Sequence, residues 1–376
     1  MAEKAIQAGG EQKGEGGHTG LLGRVVSAAT KAAGAQTVAR INDASMREFV
    51  ESGGVPLDKY RRVSSRVPLP LKFDDNGQEI NFHSLIALLS FGGANEPRLL
   101  ALAGSGAEDT VKFGLIGSHL ARERLDATWM KNAHVGSVSE AFKIPVREDT
   151  DSSIPGVKID RPGALVSHAQ ALCSVLNDTG EALLSRGYSD LAQFIMHTSK
   201  SDSGAEGLVK SLSGALPAFR DTETVDANVL TSLCFPYATI LQVLAGELSA
   251  RMGSTVEGLR FKDVGELSAV ADADVITALI FLRIVEPEKS SCVGSEVSNE
   301  SQEATPAAAA SVAAKVFKPQ DTAALRTVAM EACHRLANML GDEFHPHELS
   351  LFLKRLSRRK EYKELPRFIP EWSTTA

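Results

Sequence analysis

Apolar residues fall at helical spacing through most of this chain, and the strict alternation of a half-buried strand is sparse. Each such segment has one apolar stripe that must be covered by another element, so the pattern commits the chain to helices packed on helices. Helical spacing runs over 24–50 and is broken by "SGGVP". A loop follows through "RVPLPLKFDDNGQ", with a turn at 75–77. In "EINFHSLIALLSFGG" the positions of Ile80, Leu85, Leu88 and Leu89 suit a helix stopped by Gly92 and Gly93. Further helices are expected over 109–124, 137–142, 164–186, 205–212, 229–251 and 275–285, with the last between 322 and 362. The expected fold is mainly α, a single multi-helix domain over 24–376.

Two stretches lack this pattern. Residues 1–23 are Gly-rich and polar, a composition that cannot offset the entropy of ordering, and read as a disordered tail. Residues 288–318, rich in Ser, Glu and Ala, read as a flexible low-complexity insertion.

With 376 residues, 43% hydrophobic and 23% charged, the chain can bury one large core or two modest ones. A net charge of -7 argues against a general surface for nucleic acid, which needs clustered Lys and Arg to displace counterions. The basic stretch "KRLSRRKEYK" at 354–363 reads as a solvated helix face. The longest apolar runs fall well short of the ~20 residues that span a bilayer. The N-terminus lacks an apolar signal core and carries Glu3, Glu11 and Glu15, so the expected address is cytoplasmic. Cys173, Cys234, Cys292 and Cys333 are widely spaced and read as reduced thiols.

Few motifs carry chemistry by themselves. "GSGAEDT" at 104–110 could offer backbone amides to a phosphate, but Glu108 and Asp109 would repel an anion there, and a helix-capping turn fits better. Cys333, His334, His345, His347 and Glu348 are nominal metal ligands without the paired short spacing of a zinc site, so neither metal nor cofactor is expected. No nucleophile elbow is present. Arg220 and Asp221, in "ALPAFRD", read as a salt-bridged helix end.

The segment "SAVADADVITALIFL" at 268–282 sets two aspartates before eight residues of which only Thr277 is polar. Asp272 is a natural N-cap, and Asp274 in the first turn suits the helix dipole. An ionised carboxylate at so apolar a mouth must nevertheless be met by donors or cations, which also fits catalysis.

These segments, in order, resemble one family: "INFHSLIALLSFG", "SSIPGVKI", "LNDTGEALLSRGYSDLAQFI", "LPAFRD", "FKDVGELSAVADADV" and "LSLFLKRLSRRKEYKELPRF" are similar to motifs of the queuosine salvage proteins. Those proteins hydrolyse the N-glycosidic bond of queuosine 5'-phosphate and release queuine for tRNA modification. The resemblance spans roughly 36–370 and implies a helical fold like that of DNA glycosylases, working as a monomer on a small-molecule nucleotide. It implies Asp272 as the catalytic carboxylate. Asn81 would bind substrate by hydrogen bonding and Phe82 by stacking, with Arg220, Asp221 and Asp274 also at the substrate. The chain departs from the family in three places. "FGGANE" replaces "FGSGYR", "ADVI" follows Asp272 where polar or aromatic residues and a Pro are usual, and Cys234 and Phe235 stand where a basic pair is expected in the helix after "FRD". These departures raise an alternative: a catalytically impaired relative that acts as a nucleotide-binding or interaction protein.

The implied chemistry is demanding. Cleavage of a ribosyl C–N bond builds positive charge on the sugar, and a carboxylate beneath it can stabilise that charge and orient the attacking water. A 7-deazapurine lacks one ring nitrogen through which purine glycosylases protonate their leaving group, so other contacts must stabilise the departing base.

Overall fold

Side-chain caps mark where the helices of this chain begin. Asn42 accepts from the amides of Ala44 and Ser45, Asp75 from Gln78, Asp126 from Trp129 and Asp272 from Val275, each supplying a partner to an otherwise unpaired first-turn N–H. The computed structural model describes residues 20–35, 38–56, 60, 71–151, 158–201, 204–219, 222–225, 233–236, 239–288, 292–293, 315–317, 319–358 and 368–370.

Within the described residues lie fourteen α-helices: α1 Leu21–Ala35, α2 Asp43–Glu51, α3 Asn76–Leu89, α4 Glu96–Ala103, α5 Ala107–Leu120, α6 Ala127–Lys131, α7 Val135–Phe142, α8 Val166–Ser185, α9 Leu191–Ser201, α10 Ala205–Ala215, α11 Thr239–Met252, α12 Ala273–Phe281, α13 Pro319–Leu340 and α14 Pro346–Ser357. Nine short strands accompany them. Strand β1 (Ala39–Ile41) pairs antiparallel with β6 (Val285–Pro287), β2 (Arg147–Asp151) with β3 (Lys158–Pro162), and β4 (Thr222–Val225) with β5 (Leu233–Pro236). Strand β7 (Cys292–Val293) runs antiparallel to β8 (Lys315–Phe317), which is parallel to β9 (Phe368–Pro370).

The body is single, with two apolar clusters. One gathers Leu85 of α3, Leu115 of α5, Leu176 of α8, Leu208 of α10 and Leu244 of α11. The other gathers Val25 of α1, Leu279 of α12, Val328 of α13 and Leu353 of α14. Each fully buried aliphatic of this kind contributes about 1.5–3 kcal/mol, so the clusters dominate stability. Leu22 of α1 belongs to the first cluster and Val25 to the second, so α1 ties the two together. Among the described residues no helix is long and apolar enough to cross a membrane.

The mainly helical expectation holds, with local corrections. Helix α1 begins at Leu21, inside the expected tail, and residues 1–19 lie outside the described residues. The span 24–50 is interrupted by β1, because Val38 O accepts from Glu288 N at 2.7 Å and Ala39–Ile41 is drawn into a ladder with Val285–Pro287. The turn expected at 75–77 is instead the start of α3, since Asp75 caps it. The expected helix 229–251 starts only at Thr239. Its first part contains β5, where Cys234 faces Thr224 and Phe235 faces Glu223 across the ladder. The helix expected over 275–285 ends at Phe281, and Val285 joins β6. Most of 288–318 lies outside the described residues, but 292–293 and 315–317 form strands rather than a continuous loop.

Candidate active site

Three helix ends meet at Asp272. The chain over 268–270 that leads to it is pinned by hydrogen bonds: Ser268 N donates to Gln242 Oε1 at 2.5 Å and Val270 N to Ser350 Oγ at 3.0 Å. Ser268 Oγ lies 3.1 Å from His334 Nε2. Asp272 then caps α12 through Oδ1, 3.0 Å from Val275 N. Its Oδ2 is 2.8 Å from Lys354 Nζ, on the last turn of α14. Lys354 Nζ also lies 3.2 Å from Glu108 Oε2, in the first turn of α5.

The cluster continues outward. Arg358, the C-cap of α14, donates through Nε to Asp274 Oδ2 at 2.9 Å and through NH2 to Glu108 Oε2 at 2.5 Å. Lys112 reaches Glu108 Oε1 at 2.5 Å. Three carboxylates thus face three cations. The acids sit at helix N-termini and two of the cations at a helix C-terminus, the arrangement that the helix dipoles favour. Because α5 belongs to the first apolar cluster and α14 to the second, the charges bridge the two halves of the core.

The charges set one another's protonation. Burial alone would raise the Glu108 carboxyl, but Lys354, Arg358 and Lys112 outweigh it and hold the group far below the usual carboxylate range. Burial would lower Lys354, yet Asp272 and Glu108 hold its ammonium above the ordinary lysine range. Beneath the cluster, burial and then the charge of Asp272 push the Cys333 thiol up to about 12, so it stays protonated. The Asp272 side chain is 29% exposed, so its carboxylate is reachable from solvent as well as held by Lys354.

The structure brings Asp272 and Asp274 together and joins them through Lys354, Glu108 and Arg358. Asn81 lies elsewhere, on α3, where Nδ2 donates to Leu125 O at 2.7 Å and Oδ1 accepts from Leu191 N at 3.1 Å. Both ends of its amide serve backbone. Phe82 is buried beside Phe73 and His119. His119 is near the C-terminal end of α5 and Glu108 in its first turn, so about 16 Å of helix rise separates Phe82's neighbour from the charge cluster. Arg220 and Asp221 lie outside the described residues, as do the side chains of Cys234 and Phe235. The nominal metal ligands diverge: Cys333 is buried beneath Asp272, His334 meets Ser268, and Glu348 accepts from Tyr60 Oη at 2.9 Å.

Sequence reasoning missed Glu108, Lys112, Lys354 and Arg358. The available signal was their spacing: Glu108–Lys112 and Lys354–Arg358 are both i, i+4 pairs, each lining one helix face. Instead of projecting freely from a solvated face, Lys354 and Arg358 turn into the cluster. Other quoted motifs are architectural. In "LNDTG", Asn177 Nδ2 donates to Met130, Lys131 and Ala133 carbonyls at 3.0, 2.9 and 2.9 Å, while Gly180 packs α8 directly on the α6 backbone. In "FKD", Asp263 accepts from Ala205 N at 2.7 Å and Glu206 N at 3.0 Å and so caps α10. No known protein-family model matches the chain, and no curated protein matches it at a significant level.

Proposed function

We propose that the protein hydrolyses the N-glycosidic bond of queuosine 5'-phosphate and releases queuine, with Asp272 as the catalytic carboxylate on a fold like that of the helical DNA glycosylases. The observation that carries this reading is the position of Asp272: a partly exposed carboxylate at a helix mouth, fixed through Oδ1 and met at Oδ2 by one cation. Fixing one oxygen orients the other, and orientation is what a carboxylate needs to oppose a developing oxocarbenium charge or to hold a water for attack. Lys354 would have to yield as that charge develops, and Glu108, 3.2 Å away, offers its ammonium an alternative partner.

A second reading, a catalytically impaired nucleotide-binding relative, has its own observation. Both oxygens of Asp272 already have partners, and both ends of the Asn81 amide are tied to backbone groups. One experiment separates the readings: incubate the purified protein with queuosine 5'-phosphate, follow free queuine by mass spectrometry, and measure nucleotide binding by calorimetry. Release of queuine supports hydrolysis. Binding without release supports the impaired nucleotide-binding relative. Neither binding nor release overturns both hydrolysis and nucleotide binding, and leaves the relative only as an interaction protein.

A further inference from the structure

A second concavity lies away from the charge cluster, at the opposite end of α5. It has a volume of about 560 Å³ and is walled by the end of α5, by α6, by α7 and by α8. Glycines set these walls. Gly114 of α5 lies so close to the Phe142 ring that a Cβ there would stand 2.2 Å from it, and Gly180 brings α8 against the α6 backbone. The floor is apolar, with Val138, Phe142 and Leu176 all buried. The size lies in the range of about 300–1,000 Å³ typical of small-molecule sites.

Several polar side chains around it have no hydrogen-bond or ion-pair partner among the described residues. Ser118 is only 5% exposed and lines the cavity, and its hydroxyl makes no hydrogen bond among the described residues. A buried helical serine ordinarily bonds back to the carbonyl four residues earlier, as Ser84 does to Ile80 O at 2.7 Å. The Ser118 oxygen is not among the sealed partnerless atoms of the interior, so it opens on the cavity, where water or a ligand can meet it. Around the rim, the exposed Glu123, Glu140, Asn132 and Lys143 and the half-buried Trp129 indole also lack side-chain partners among the described residues. His134 uses Nδ1 on the Ser137 amide. The exposed rim thus carries two carboxylates and one ammonium without ion-pair partners among the described residues, around a cavity lined by two aromatic side chains.

We propose that this cavity binds a small organic cation, an amine with an apolar or flat body. The body would rest on Trp129 and Phe142, where an aromatic face attracts a cation, and the ammonium would take Glu123 and Glu140. The Ser118 hydroxyl and the Asn132 amide would satisfy the ligand's remaining polar groups. This site is independent of the hydrolysis proposed at Asp272.

The full-length protein contains two tryptophans, Trp129 and Trp372. In a Trp372→Phe background Trp129 reports alone. Titration with 2-phenylethylamine, followed by indole fluorescence and calorimetry, should saturate with a Kd of about 1 mM or tighter. The neutral isostere 2-phenylethanol and the anion 3-phenylpropanoate should bind at least about 10-fold more weakly, the effect of losing a charge-assisted contact. Glu123→Gln with Glu140→Gln should weaken the amine by about 10-fold with an unchanged melting temperature, and Ser118→Ala by about 5-fold, the loss of one neutral hydrogen bond. Absence of saturation overturns the proposal, as does equal binding of the alcohol or an affinity indifferent to the paired glutamine substitutions.

Discussion

Lys354 Nζ stands 2.8 Å from Asp272 Oδ2, joining the last turn of α14 to the cap of α12. The same ammonium is 3.2 Å from Glu108, so a single lysine neutralises two acids from opposite halves of the core. Replacing it by methionine keeps the stem's packing but leaves Glu108, Asp272 and Asp274 facing only Lys112 and Arg358. The expected loss is about 1–3 kcal/mol, below that of a fully buried pair because the lysine is 27% exposed. Urea denaturation of Lys354→Met measures it, and a change under about 0.5 kcal/mol would mean that the cluster does not brace the fold.

Asp272→Asn separates capping from catalysis. Asparagine caps a helix about as well as aspartate, and Lys354 retains Glu108, so the melting temperature should fall only slightly. If Asp272 opposes the charge on the sugar, release of queuine should drop by at least about 100-fold. A variant that turns over like the wild type would reduce Asp272 to a cap.

Glu108 makes the acid limb of stability testable. Its folded-state pKa is held below the ordinary value of 4.5, so its ionised form stabilises the fold above that pH, and the contribution is lost as pH falls further. Glu108→Gln should therefore melt below the wild type at neutral pH, and the gap should narrow as pH drops below 4.5. A gap that stays constant with pH would show that the glutamine disturbs packing rather than charge.

What could be read from the sequence was what is local. Asp272 as a cap and the helical stretch around Leu172 and Leu176 each depend on neighbours within a turn or two, whereas α3 ends at Leu89, before the expected stop at Gly92 and Gly93. The strands were hidden because two to five residues hold too few positions to show alternation. "LCFP" reads equally well as the start of a helix, and only pairing with Thr222–Val225 makes it β5. The charge cluster was hidden for a different reason: Glu108 and Arg358 are 250 positions apart, and no local pattern reports a contact at that separation. The motif around Asn177 and Gly180 was visible as a motif, but its work depends on α6, a five-residue helix too short to register as a periodic segment.

That work gives a testable stability contrast between two helical glycines. Gly180 lies in the middle of α8, where alanine is intrinsically better by about 1 kcal/mol. A Cβ there would stand 2.4 Å from Lys131 N and 2.5 Å from Ala127 O, and both are backbone atoms of α6 that no rotamer change can move. Gly180→Ala must therefore push α6 away from α8 and strain the three carbonyl bonds of Asn177, for a net loss of about 3 kcal/mol. Gly214, in α10, has open space where a Cβ would go, so Gly214→Ala should be neutral or stabilising by about 0.5 kcal/mol. Urea midpoints of the two variants, measured side by side, decide the matter. Equal midpoints would mean that the α6–α8 contact is loose and that the glycine of "LNDTG" has no packing role.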